Sequence, residues 1–315
     1  MRQELFDGSV LREALRGAEK YIEAHIDELN LLNVFPVPDG DTGINMFVTL
    51  QAANKAVAAV NTQSAAVVTA AAARGALLGA SGNSGVILSQ ILRGIAKGME
   101  AKERFSCMHF AEALGVAAEM ARRAVMNPVE GTILTVSSEA SEMATRMAKR
   151  GASLRQAMSA IVRQSKKSVE KTPELMPLLK EAGVVDAGAK GLLYVFQGMR
   201  DHMSERVTKH KAKTRTLAPQ AKSTSQSYGY DLQFLLQGTD MPLDKIRSKI
   251  ETMGESVIVV GDSQLIRVHV HTPDPDAVLK YVRKVGEITN LVSENMDDQV
   301  REFREKHSKK DHSDS

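Results

Sequence analysis

Tryptophan is absent from this chain, aromatic residues make up only 4% of it, and there is a single cysteine, Cys107. One thiol cannot close an internal disulfide, so a reducing, cytoplasmic setting is the expectation. His109 lies close to Cys107, but a lone Cys near a His reads more readily as a packed thiol than as a nucleophile. Long apolar runs are missing too. The amino-terminal MRQELFDGSVLREALRG is polar and periodic, unlike a signal peptide. No segment reaches the roughly 20 apolar residues that span a bilayer. The Ala-rich stretch from Gln63 to Leu78 comes closest, yet it carries Arg74 and reads as a tightly packed core helix. Charge of one sign is also scarce. A net charge of +3, with no aromatics interleaved among Lys and Arg, argues against a nucleic-acid partner.

What is present is helix-forming. At 315 residues the chain has room for two domains, and 43% apolar with 25% charged residues is ordinary globular composition. Ala, Leu and Met are plentiful, and such side chains lose little rotamer freedom in a helix. Apolar residues recur at helical spacing over Val10–Leu32, Asn45–Val60, Ser64–Leu78, Val86–Met99, Phe110–Met126, Ile133–Lys149, Ser153–Lys171, Leu175–Glu181 and Gly191–Arg206. Glycine- and proline-rich breaks separate them: NVFPVPDGDTG, GASGNSG, NPVEGT and GVVDAGAKG. No alternating strand is expected in this all-helical part, residues 1–206.

Residues 207–227 are Lys, Thr, Ser, Gln and Pro with hardly an apolar side chain, and are expected to be a linker. From 228 to 303 the period changes. Strands are expected over Tyr228–Gln237, Ser256–Gly261, Leu265–His271 and Glu287–Glu294, with helices over Pro242–Met253 and Asp276–Val285. The order β-α-β-β-α-β is that of a ferredoxin-like α/β sandwich. The tail, 304–315, is expected to be disordered.

The break Asp39-Gly40-Asp41 is the sharpest chemical signal. Two carboxylates on a turn fixed by Pro36, Pro38, Gly40 and Gly43 can share a hard divalent cation, and magnesium prefers one or two carboxylates plus water and phosphate oxygens. Alone, Pro-Asp-Gly is equally ordinary turn chemistry. An EF-hand is excluded, because Gly43 stands where a third ligand belongs. Gly79–Gly85 leads into a helix, where free N–H groups and the dipole favour an anion, and Ser81 and Ser84 add hydroxyls. It is neither a Walker A loop nor a Rossmann fingerprint. Gly131-Thr132 and Asp186–Gly191 open two further helices. In an up-and-down bundle such breaks can gather at one end, where a ligand would lie.

NVFPVPDGDTGINM, GASGNSGVILSQ, AVMNPVEGTILTV and GVVDAGAKGLL together resemble the DhaL-type nucleotide-binding domain of dihydroxyacetone kinases, in the version found in the large subunit of bacterial fatty-acid kinase. YGYDLQF, IRVHVHTPDP and GEITNLVSENMDDQ are similar to the middle domain of that subunit. The resemblance implies an antiparallel helical barrel that binds ATP or ADP through magnesium ions. Asp39 and Asp41 would hold the metal and serve catalysis, with Asn33 as a further contributor. Thr42 and Asn45 would line the phosphate side, and Ser81, Asn83 and Ser84 would bind phosphate. Gly131, Thr132, Asp186 and Gly188 would surround ribose and base. The family usually has Arg where this chain has Ser81.

The resemblance further implies a kinase that phosphorylates a fatty acid presented by a DegV-type binding partner, giving acyl phosphate for phospholipid metabolism. Self-association into a homodimer is left open. Glycerone kinase activity is an alternative, although nothing here resembles the ketone-binding domain it needs. A non-catalytic module that holds ADP is another. In the family the middle domain carries a Cys-and-His metal site, and Asp231 stands in place of that Cys beside retained His269 and His271. Strand geometry would bring these three together as a zinc site. The rival reading is a simple Asp–His hydrogen bond. In the family's large subunit a third domain follows, and no counterpart to it is expected in this sequence after Phe303.

Overall fold

The computed structural model describes residues 4–203 and 228–308. The first part is helical: α1 (Gly8–Glu23), α2 (Ile26–Leu31), α3 (Thr42–Ala58), α4 (Ala65–Gly79), α5 (Gly82–Gly98), α6 (Cys107–Ala124), α7 (Ile133–Lys149), α8 (Leu154–Leu175), α9 (Pro177–Ala182) and α10 (Ala187–Met203). Local chemistry sets their starts. The Asp7 carboxylate accepts from the Ser9 N–H at 2.9 Å to cap α1. Ser153 and Gln156 form a reciprocal capping box on α8, as Ser106 and His109 do on α6.

Sequence neighbours are also neighbours in space. α1 packs on α3, each helix from α3 to α8 packs on the next, and α8 packs on α10, which returns to α1. The α1–α10 crossing is close because both sides are glycine there: a Cβ on Gly17 or Gly198 would collide with the other's carbonyl oxygen. Leu11, Leu15, Ile22, Leu50, Leu88, Ile91, Phe110 and Phe196 fill the enclosed core. Each large side chain buried this way contributes about 1.5–3 kcal/mol.

Three expectations for the helical part need correcting. The helix expected over Val10–Leu32 is two, because the His25 N–H bonds Ile22 O at 2.9 Å, one residue short of the α-helical partner, and the ladder stops. A two-residue antiparallel pair, β1 (Phe6–Asp7) with β2 (Arg104–Phe105), ties the amino terminus to the α5–α6 connection. It is too short to show alternation in sequence. Helices α3, α5 and α10 begin inside the glycine-rich breaks, about one turn earlier than their apolar periodicity suggests.

The second part has strands β3 (Tyr230–Gln237), β4 (Glu255–Gly261), β5 (Leu265–Thr272) and β6 (Glu287–Asn295), with helices α11 (Leu243–Ile250) and α12 (Pro275–Val282). The sheet order is β4-β5-β3-β6, every pair antiparallel, so the first strand lies beside the third as expected. In the β4–β5 turn the Asp262 carboxylate accepts from the N–H groups of Gln264 and Leu265, at 2.9 and 3.0 Å. One sheet face is apolar. Leu232, Phe234, Leu236, Ile266, Val268 and Val270 pack beneath Ile246, Ile250, Val278 and Val282 of the two helices. The tail expected to be disordered from 304 is helical as far as Ser308, in α13 (Met296–Ser308). The linker expected at 207–227 and the end of the tail, 309–315, lie outside the described residues.

Candidate nucleotide and metal site

The site begins with a buried amide. Asn33 ends the α2 segment, and its Nδ2 donates to Val37 O at 2.8 Å and to Asp39 Oδ1 at 2.5 Å. Its Oδ1 accepts from the Thr42 hydroxyl. One side chain thus spans the loop and fixes both ends of the Asp39–Thr42 turn. Asn45, one turn into α3, hydrogen-bonds Asp41. Burial holds the Asp39 carboxyl well above its ordinary pKa, and the neighbouring charges of Asp41 and Asp231 push it further. Asp41 is raised as well, by burial first, against the opposing bonds from Asn45 and Asp39. Among the described residues, no lysine or arginine forms an ion pair with either. Half-buried neighbouring carboxylates left this way favour a cation or a shared proton.

Next to this turn opens a cavity of about 500 Å³. Thr42, Asn83, Ser84, Thr132, Asp186 and Gly188 all line it, so the starts of α3, α5, α7 and α10 converge on one space. Helix starts present unsatisfied N–H groups and a positive dipole end. Asp186 is 5% exposed and accepts from the Ala189 N–H at 2.7 Å. Burial pushes its pKa up to about 7, against the bonds from Ala189, Ile133 and Gly188. Asn45, Ser81 and Gly131 are not among the lining residues. Asn45 supports Asp41, the Ser81 carbonyl accepts from Gly85 N at 3.1 Å, and Gly131 N donates to Thr135 Oγ1 at 2.9 Å.

The second sheet face closes the arrangement. Asp231, Gln233, Arg267, His269 and His271 project from β3 and β5 toward the helices. Gln233 Oε1 accepts from the Gly82 N–H at 2.9 Å, and the Arg267 guanidinium donates to Ala80 O. Asn83 Nδ2 lies 3.5 Å from His271 Nε2. Ile258 and Val260 pack with Leu77, Val86 and Ala124. The sheet therefore grips the GASGNSG loop, and Asp39, Asp41, Asp231, His269 and His271 line one polar cleft. Thr42, Asn83 and Ser84 line both cleft and cavity.

Ligand atoms of Asp231, His269 and His271 all lie within 4.8 Å of one another. His269 Nδ1 and Asp231 Oδ1 are 3.1 Å apart without hydrogen-bond alignment, and both His269 nitrogens are buried without a hydrogen-bond partner. Burial works to raise the Asp231 pKa, but the adjacent histidines more than offset it and hold the group below its ordinary value. His271 is pushed down to about 4 by burial and by His269, so it stays neutral, as a metal ligand must.

Gln233 and Arg267 were not expected at the site, although the alternation in LIRVHVHT puts Arg267 on the face of both histidines. Glu255–Ile258 of β4 also line the cavity of about 500 Å³, a contact between domains that has no local signal in the sequence.

The DAK2 domain family matches residues 36–201, more than half of the chain and nearly all the helices around the cavity. The chain belongs to the DAK2-domain family. Residues 227–303 match the FakA-like middle-domain family, whose description is that of a fatty acid kinase subunit. Protein YloV of Bacillus subtilis (strain 168) is 36% identical over 309 residues, covering 93% of this chain and 56% of that protein. An uncharacterized protein of Staphylococcus saprophyticus is 35% identical over 323 residues, covering 95% of this chain and 57% of its own length. One from Staphylococcus epidermidis is 35% identical over 302 residues, with 91% and 54% covered. The chain thus spans a little over half the length of these relatives. Its two domains are those of a kinase-related subunit. No helix among the described residues is long and apolar enough to cross a membrane.

Proposed function

We propose that this DAK2-family chain is the ATP-binding subunit of a fatty-acid kinase-like system, transferring phosphate to a fatty acid carried by a DegV-type protein. The observation that carries the reading is the juxtaposition of two parts. Four helix starts converge on a cavity of about 500 Å³, and a pair of half-buried carboxylates that no lysine or arginine among the described residues pairs with stands at its edge. In this reading residues 1–206 form the DhaL-type helical barrel, which the ring of contacts from α1 round to α10 supports. Residues 228–303 form the ferredoxin-like sandwich, supported by the sheet order, with 207–227 as linker.

Asp39 and Asp41, with Asn33 behind them, would hold magnesium. The bound ion supplies neutralisation of the charge on the transferring phosphoryl group. Asn83, Ser84 and the α5 start would bind phosphate, Ser81 and Gly131 would shape the loops, and Thr132, Asp186 and Gly188 would surround ribose and base. The raised pKa values of the aspartate pair are the strain that a cation would relieve. Asp231, His269 and His271 would hold zinc; the orphaned, buried Asp231 Oδ1 and His269 nitrogens fit a metal better than a closed hydrogen-bond network.

The chain holds no acceptor of its own in this scheme, so ATP turnover by the protein alone should be slow. A lipid-loaded DegV-type protein from the same organism should raise it and yield acyl phosphate, detected as hydroxamate. No stimulation by any such protein, together with tight ADP retention, would contradict the kinase reading and favour the ADP-holding module.

A further inference from the structure

Helix α13 follows β6 directly and returns to the helical domain. Its start is fixed twice over. Asn295 Oδ1 accepts from Asp297 N at 2.9 Å, and Asp297 Oδ1 accepts from Tyr228 N at 3.0 Å. Met296 and Val300 are buried against Val37, inside the metal-binding loop, and Tyr228 packs beside them. Phe303 continues the same stripe, at the spacing that keeps side chains on one helix face. Its ring lies on Gly40, so closely that a Cβ on that glycine would run into the ring carbons. Gly40 stands between Asp39 and Asp41 with φ of +73°, a conformation that L side chains rarely adopt.

We propose that Phe303 is a positioning residue for the metal site: seated on Gly40, it holds the turn that keeps Asp39 and Asp41 together. The physical need is clear. Two like charges side by side in a partly enclosed turn repel, and a turn hinged on glycine is the part of the loop freest to relax and separate them. A ring packed on that glycine takes the freedom away. Asn33 braces the loop from the helical side, and Phe303 braces it from the middle domain. Docking of the second domain thereby becomes part of the metal-binding turn. This inference rests on the reading of Asp39 and Asp41 as magnesium ligands.

The test is calorimetric titration of ATP into the full chain at a series of magnesium concentrations, and again in EDTA. Wild type is compared with Phe303→Ala, Phe303→Leu and Asp39→Asn, each checked for a cooperative thermal transition. Outer-shell supports of a metal typically carry about tenfold to a hundredfold in affinity, so Phe303→Ala should raise the magnesium requirement by about tenfold or more. Affinity in EDTA should not change, and Phe303→Leu, which keeps part of the contact, should recover part of the loss. If Asp39→Asn loses magnesium dependence while folded Phe303→Ala titrates like wild type, the role of Phe303 is wrong and the metal reading stands. An equal loss in EDTA would also overturn it, as a general structural effect. If Phe303→Ala does not fold, Phe303→Leu decides alone: a raised magnesium requirement supports the role and an unchanged one overturns it. If Asp39→Asn behaves like wild type, the metal reading fails and takes the role of Phe303 with it.

Discussion

Strands β3, β4 and β5 bury both faces of the sheet, and the two faces could hardly differ more. Phe234, Ile266, Val268 and Val270 face one way into an apolar layer under α11 and α12. Asp231, Gln233, Arg267 and His269 face the other way, and each of them is also at most 6% exposed. The first face is what a fold needs, since apolar area removed from water stabilises it. The second works against stability, because buried polar groups must be paired and several here are not. Arg267 shows the cost: burial lowers its pKa to about 10, and its Nε has no hydrogen-bond partner. A surface that gives up stability is the expected signature of a site kept for its chemistry.

The contrast can be broken by paired substitutions. On the apolar face, Phe234→Ala should cost about 3–5 kcal/mol, since the ring is fully buried and the cavity left behind adds to the lost transfer energy. Denaturant unfolding followed by circular dichroism measures this. On the polar face, the double substitution Asp231→Asn with His269→Leu, which removes both members of the buried pair, should change stability far less, by about 1 kcal/mol in either direction. Its effect should appear in metal content instead: zinc retained by the purified wild-type chain should be lost from the variant. A double variant destabilised as strongly as Phe234→Ala would mean that the two faces serve stability alike.

The apolar face was legible from sequence because alternation writes it directly, and the strand and helix limits of the second domain followed to within a few residues. The helical periods were legible for the same reason, apart from the break at Ala24-His25, where a hydrogen bond to Ile22 ends one helix and an unbroken apolar pattern hides it. The Asp39-Gly40-Asp41 turn stood out because its residues serve no core. Its companions across the domain boundary did not. Gln233 reaching Gly82, Arg267 reaching Ala80 and Phe303 reaching Gly40 link residues far apart in sequence, and no local pattern encodes such contacts. Helix α13 was hidden by its composition, since a mostly polar stretch holds its helix through one stripe of Met296, Val300 and Phe303.

The central claim is that Asp39 and Asp41 hold the metal through which ATP binds. Calorimetric titration of ATP into Asp39→Asn and Asp41→Asn, with and without magnesium, tests it most directly. Both substitutions keep the shape and remove a charge from a crowded, half-buried pair, so the variants should fold at least as well as wild type. The account predicts that magnesium-dependent ATP binding disappears in both while the thermal transition is retained. Wild-type affinity for ATP in magnesium in both folded variants would contradict it.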